Sequence, residues 1–286
     1  MSQLSFLEQK SYLRAPNVAS VPQYSPLRYP GGKTWLYPFA KKWLLRYKSD
    51  VLIELFAGGA SVGLAAAIEN LVKHVILVEK DEDIVAIWKT IINGDALWLA
   101  DKIKNFDLNQ EAIKEALKNK ERSVQERAFA VLLMNRISHG GILANGSGRV
   151  KNGENGKGIK SRWYPTTLCS RILNIANHKD KINVIQGEAL DVLESKLKDD
   201  VLFFIDPPYT IAGRRLYNHF SIDHEKLFSL CDFTRGSFLM TYDKTDEIEK
   251  LAQKYDFQKE DILMQTTHML KKFELVISKD LSWLYF

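Results

Sequence analysis

The sequence is poor in cysteine: 286 residues hold only two, Cys169 and Cys231, far apart and without metal-type spacing. That excludes a disulfide framework and gives no sign of a zinc site, so no metal is expected. Long apolar runs are missing too. No stretch approaches the ~20 residues of a membrane span. Residues Met1 to Tyr24 lack the charged-then-apolar pattern of a secretory leader. The expectation is a cytoplasmic protein with no membrane partner. Internal repeats and low-complexity tracts are also absent, and the apolar fraction of 45% is enough for a full core.

Net charge is low, +5, but it is unevenly spread. Between Asn135 and Pro165 lie six basic residues (Arg136, Arg149, Lys151, Lys157, Lys160 and Arg162) against one acid, Glu154. The same stretch holds seven of the sixteen glycines. A basic, glycine-rich segment in an otherwise neutral protein reads as a phosphate-contacting loop, with a solvated surface loop as the plainer alternative.

Residues 1–24 show no sustained periodicity and read as a tail or loosely packed arm. The segment Tyr29-Pro30-Gly31-Gly32-Lys33-Thr34 then feeds an apolar helical pattern from Trp35 to Tyr47, and a glycine turn before a helix is an anion site in waiting. A nucleotide-triphosphate P-loop would need glycine where Leu27 stands, and a strand before it. Val51 to Leu55 reads as a strand, followed by the turn Phe56-Ala57-Gly58-Gly59-Ala60 and a small-residue helix to Ile68. Gly58 and Gly63 fit the dinucleotide template, whose middle glycine is replaced by Ala60. The next strand ends on Glu79, twenty-one residues after Gly58, where an acid takes the ribose hydroxyls of an adenosyl group.

Strand–helix alternation lapses from Gly94 to about Asp180, which reads as a mainly helical insertion carrying the basic loop. It resumes with a strand at Ile182 to Gln186, then Glu188 and a helix, then Val201 to Ile205. Residues Asp261 to Met264 and Phe273 to Ser278 read as a final hairpin. The expected division is an arm over 1–24, a catalytic domain over 25–93 and 181–286, and an inserted subdomain over 94–180. The expected class is α/β, with a Rossmann-like sheet.

The apolar run Val201 to Ile205 stops at Asp206-Pro207-Pro208-Tyr209. Two prolines cannot extend a ladder, so the chain is stiff where parallel sheets place their ligands, outside the carboxyl ends of the strands. It presents a carboxylate, a proline carbonyl and an aromatic face. Those groups suit a planar ring bearing an exocyclic amine; a capped proline turn is the bland alternative.

Taken in order, these motifs resemble the Dam-type N6-adenine DNA methyltransferases of the alpha group, over roughly residues 26 to 280. The resemblance implies an S-adenosyl-L-methionine-dependent fold with the late antiparallel hairpin, and a target-recognition role for the insertion. It implies that Tyr29 and Lys33 line the cofactor pocket, together with the turn from Glu54 through Phe56 and Gly58. Glu79 would hold the ribose, and Asp206 would serve both cofactor and catalysis. Glu188 is either a contact to the cofactor's adenine or a helix cap. The family more often has Asp at position 79 and Gly at position 60.

The implied chemistry needs no metal. Asp206 and the Pro207 carbonyl accept the two N–H bonds of the target amine, and Tyr209 stacks on the base. The implied partner is double-stranded DNA. Asn135, Arg136, Arg149, Lys151, Lys157, Lys160 and Arg162 are expected to meet its phosphates or base edges, and Arg214 and Arg215 its backbone or else solvent. A cognate restriction endonuclease, and a monomer or weak dimer, are compatible with the resemblance. RNA adenine, a glutamine side chain, or non-catalytic nucleic-acid binding are the competing readings. No proline precedes either cysteine, which disfavours 5-cytosine methylation.

Overall fold

Short apolar runs separated by helices bury both faces of a parallel sheet, as the central strands do here; among the described residues the sheet has eight strands. In chain order they are β1 (Leu13–Arg14), β2 (Val51–Leu55), β3 (His74–Glu79), β4 (Ile182–Gln186), β5 (Leu202–Ile205), β6 (Phe238–Asp243), β7 (Gln258–Met264) and β8 (Lys272–Ser278). The structure is a computed structural model that describes residues 13–28, 32–119, 121–143, 148–150, 156–208, 222–264 and 272–285. Across the sheet the order is β1-β7-β8-β6-β5-β2-β3-β4. Strands β4, β3, β2, β5 and β6 are parallel neighbours. β8 runs antiparallel between β6 and β7, the expected closing hairpin. The fold is therefore α/β, with a Rossmann-like sheet ending in an antiparallel pair.

The strand order reverses between β2 and β5, which pair in parallel from Leu52↔Leu202 to Leu55↔Ile205. Open α/β sheets bind ligands at this switch point, beyond the carboxyl ends of the strands. The glycine turn after β2 and Asp206 after β5 are thereby brought side by side.

Helices α1 (Tyr37–Tyr47), α2 (Ser61–Ile68) and α3 (Glu82–Ile92) follow the first motifs. Asp81 caps α3 by accepting from the Asp83 N–H, and Glu82 and Asp83 in the first turn complement the helix dipole. The insertion contributes α4 (Ala96–Lys104), α5 (Gln110–Lys118), α6 (Val124–Ile137) and α7 (Pro165–Ala176). A capping box between Ser123 and Glu126 starts α6. These helices share one hydrophobic core with the sheet: Leu99, Ile103, Leu132 and Ile172 lie in the same cluster as Leu52, Val75 and Ile87. Residues 94–180 are mainly helical, and among the described residues their buried side chains join the sheet's core. Helix α8 (Ala189–Ser195) leads into β5, and α9 (His224–Asp232) and α10 (Asp246–Lys254) follow it. No helix among the described residues is long and apolar enough to cross a membrane.

The arm differs from the loose tail read from sequence. Leu13 and Arg14 pair with Ile262 and Leu263 at the sheet edge, Val21 is buried, and the Tyr24 hydroxyl donates to Glu69 at 3.1 Å. A two-residue strand is too short to leave a periodic signal.

Register beside Asp206 depends on one close approach. A Cβ on Gly236 would lie 1.8 Å from the Val201 carbonyl oxygen. Gly236→Ala is expected to cost at least about 1–3 kcal/mol, the usual scale of overpacking. Urea unfolding should show a lower midpoint with an unchanged slope; an unchanged midpoint would contradict this packing.

Candidate active site

The carboxyl end of β5 delivers Asp206 into a small polar cluster. Lys33 Nζ lies 2.9 Å from Asp206 Oδ1 and 3.6 Å from Glu274 Oε2. The Thr241 hydroxyl, within β6, donates to the same Asp206 Oδ1 at 2.9 Å. Lys33 and Glu274 are almost fully buried, while the Asp206 side chain keeps 22% of its surface open. Burial works against the charge on Lys33, but Asp206 and Glu274 outweigh it and hold the ammonium above its ordinary range. Burial likewise pushes the Asp206 carboxyl up, and Lys33 pulls it back. Among the described residues both contacts to Asp206 fall on Oδ1. The carboxylate is thus held through one oxygen while part of its surface stays open.

The neighbouring turn is held open by backbone geometry and two carboxylates. Phe56, Gly58 and Ala60 all have positive φ (57°, 46° and 50°). At Ala60 a side chain occupies a conformation that favours glycine, a local cost of ~1–2 kcal/mol. Glu79 fastens the turn. Its Oε2 accepts the Gly58 N–H at 2.8 Å, and its Oε1 accepts those of Lys80 and Asp81 at 2.8 and 2.9 Å. From the other side the Trp88 indole donates to the Gly58 carbonyl at 3.1 Å.

Glu54 lies beneath this turn, 3% exposed, and accepts the Gly63 N–H at 2.6 Å. A Cβ on Gly63 would come within 2.5 Å of that carboxylate, so glycine there makes the room Glu54 occupies. Sequence reading groups Glu54 with the pocket-lining residues; the structure sets it behind the turn, supporting α2.

The remaining expected residues separate by position. Glu188 stands at the first cap position of α8 without capping it and instead pairs with Lys80 at 2.5 Å, both half-exposed. Asn135 is fully buried: its amide accepts from the Arg28 N–H at 2.9 Å and donates to the carbonyls of Arg28 and Gly141 at 2.8 Å each. Arg136 is 5% exposed and donates to the Pro26 carbonyl. Both are therefore buried, because α6 is enclosed by the shared core, and Arg136 reaches only the wall of a cavity. Arg149 is exposed and its backbone bridges Ser138, so the basic segment doubles back on the end of α6. Lys157 and Lys160 are exposed and Arg162 half-buried. Tyr29, Tyr209, Lys151, Arg214 and Arg215 lie outside the described residues.

Sequence reading missed Thr241, Glu274 and Trp88. Glu274 did leave a signal, an acid inside the apolar run Phe273 to Ile277. Trp88 looked like an ordinary core residue of an amphipathic helix.

Burial pushes the Glu54 carboxyl up to about 8; the N–H groups of Gly63 and Val62 offset this in part, and Asp206 adds to it. The folded value lies above the ordinary 4.5, so the folded state keeps a proton that the unfolded chain has released. Stability is then greatest below the ordinary value and falls as pH rises toward 8, by at most about 1.4 kcal/mol per pH unit. Urea midpoints measured from pH 5 to 8 should fall in the wild type and flatten in Glu54→Gln. Parallel profiles would contradict the assignment.

Residues 29–267 match the profile of the D12 class N6 adenine-specific DNA methyltransferases. A search of curated proteins gives no match. Among solved structures, the rRNA methyltransferase aviRa from Streptomyces viridochromogenes is similar over 88% of this chain and 86% of its own, at 10% identity and a TM-score of 0.39. Precorrin-6y C5,15-methyltransferase from Geobacter metallireducens GS-15 is similar over 84% of both chains, at 11% identity and a TM-score of 0.34. Likenesses this remote carry no substrate. The profile match runs from the glycine–lysine segment past the end of β7 and takes in the glycine turn, Glu79 and Asp206. On that match the chain belongs to the D12 class N6 adenine-specific DNA methyltransferase family.

Proposed function

We propose that the protein transfers the methyl group of S-adenosyl-L-methionine to the N6 amine of an adenine flipped out of duplex DNA, within a specific sequence. The observation that carries this reading is the fixed carboxylate of Asp206, held through Oδ1 by Lys33 and Thr241 yet partly exposed.

Adenine's exocyclic amine is a weak nucleophile because its lone pair is delocalised into the ring. Asp206 Oδ2 and the Pro207 carbonyl each accept one of its N–H bonds. That draws the nitrogen toward a tetrahedral shape and directs the lone pair outward. As positive charge develops on nitrogen, the nearby carboxylate stabilises it. Lys33 opposes the burial that pushes the Asp206 carboxyl up and holds it oriented, so little reorganisation is left for the reaction itself. Tyr209, in this reading, stacks on the flipped base, worth about 1–3 kcal/mol against the cost of unstacking.

The donor fits the residues present. A turn of positive-φ residues after β2 and a buried acid at the end of β3 form the usual frame for an adenosyl group. Glu79 would take the ribose hydroxyls, Tyr29 and Lys33 would line the pocket with Phe56 and Gly58, and Glu188, paired with Lys80, would meet the donor's adenine. When bound, the donor supplies a methyl already activated on sulfonium. The exposed Arg149, Lys157 and Lys160, with Lys151, Arg214 and Arg215, would meet phosphates.

Purified protein given labelled donor should label duplex DNA in preference to RNA or protein acceptors. Asp206→Ala should slow transfer by about 10²-fold or more, the scale for losing one such electrostatic partner. Equal rates in wild type and variant, or label on RNA or protein alone, would overturn the proposal.

A further inference from the structure

Two polar side chains interrupt buried apolar runs in the middle of the sheet. Thr241 stands in β6 between Met240 and Tyr242, and Glu274 stands in β8 just before Leu275, Val276 and Ile277. Both are buried. Burying a hydroxyl or a carboxylate costs stability unless it is bonded, and a valine would fill the space of Thr241 without that cost.

The pleat decides what these two groups meet. Met240 pairs with Ile205, and both lie in one core cluster, while Leu239 and Phe204 lie in the other. One residue further on, Thr241 and Asp206 return to the face of Leu239 and Phe204. Val276 belongs to that face as well, which sets Glu274, two residues earlier, on the same side. Trp35 and Leu36, just past Lys33, pack there too. The Thr241 hydroxyl thus reaches Asp206 Oδ1 directly, whereas Glu274 reaches it through Lys33. Their influences oppose one another. The bond from Thr241 favours the ionised carboxylate, and the charge on Glu274 disfavours it. Two further titratable groups, Glu54 of β2 and Tyr242 of β6, also feel the charge of Asp206.

We infer that Thr241 and Glu274 are positioning residues for methyl transfer: Thr241 anchors Oδ1 so that Oδ2 is presented to the acceptor amine, and Glu274 shares the Lys33 ammonium so that it does not cancel the carboxylate. Both act through other residues and not on the reacting atoms. The inference rests on the proposed role of Asp206 and gives a task to two residues that no motif marks.

The test is the pH dependence of transfer from labelled donor to duplex by wild type, Thr241→Val, Thr241→Ser and Glu274→Gln. As pH falls, Thr241→Val should lose rate at a higher pH than wild type, because Asp206 then takes up its proton earlier. Its kcat should drop about tenfold, the scale of one hydrogen bond to a charged group, with KM little changed. Thr241→Ser keeps the hydroxyl and should restore both. Glu274→Gln should move the acid limb the other way, to lower pH, yet slow transfer on the plateau, since Lys33 then neutralises Asp206 more fully. A loosened fold does not produce shifts of opposite sign. Carbon NMR titration of the Asp206 carboxyl should show the same two directions without turnover. Shifts of one sign in both variants, profiles that superimpose on wild type, or variants that do not fold would overturn the inference. A wild type that methylates DNA while its variants keep its profile refutes the inference alone. A wild type that methylates no DNA refutes the functional reading, and the NMR titration still decides the pair.

Discussion

A lysine ammonium almost out of reach of water stays charged only if acids surround it. Lys33 is 2% exposed and has Asp206 and Glu274 beside it. That cluster joins three stretches far apart in sequence: the glycine–lysine segment, the end of β5, and β8 from the closing hairpin. Removing one member of a buried pair typically costs about 3–5 kcal/mol, because the survivor is left uncompensated. Asp206, the acid proposed to act in catalysis, and the architecture are thus fixed by the same contact. It also explains why the hairpin belongs to the site, although it lies at the far end of the chain.

Much of this was legible in the sequence. Apolar runs at Val51, His74, Ile182 and Val201 mark four parallel strands, and the prolines after Asp206 mark where the last one stops. The interval from Gly58 to Glu79 reads as an acid set for an adenosyl ribose; in the structure that acid accepts the Gly58 N–H. Gly63 keeps the meaning its motif assigns, close packing of helix on strand, with Glu54 filling the space.

What sequence hid is mostly tertiary. Thr241 reaches Asp206 because β6 pairs beside β5, a register no local pattern encodes. Asn135 and Arg136 were grouped with the basic loop by composition, but they sit on α6, which is enclosed by the core shared between insertion and sheet. Their polar atoms then serve the backbone of residues 26–28 and 141. Charge counting sees six basic residues; burial separates those facing solvent from those building the wall. Ala60 runs against local preference, holding a left-handed turn without glycine. Strain of that kind collects at functional sites, where the surrounding structure enforces it.

The account depends on one product. Single-molecule sequencing of DNA from cells expressing the protein reports the modified base and its context together. The prediction is N6-methyladenine in one recurring sequence, absent when Asp206→Ala is expressed instead. Modified cytosine, or unmodified adenine throughout with active protein present, would contradict it.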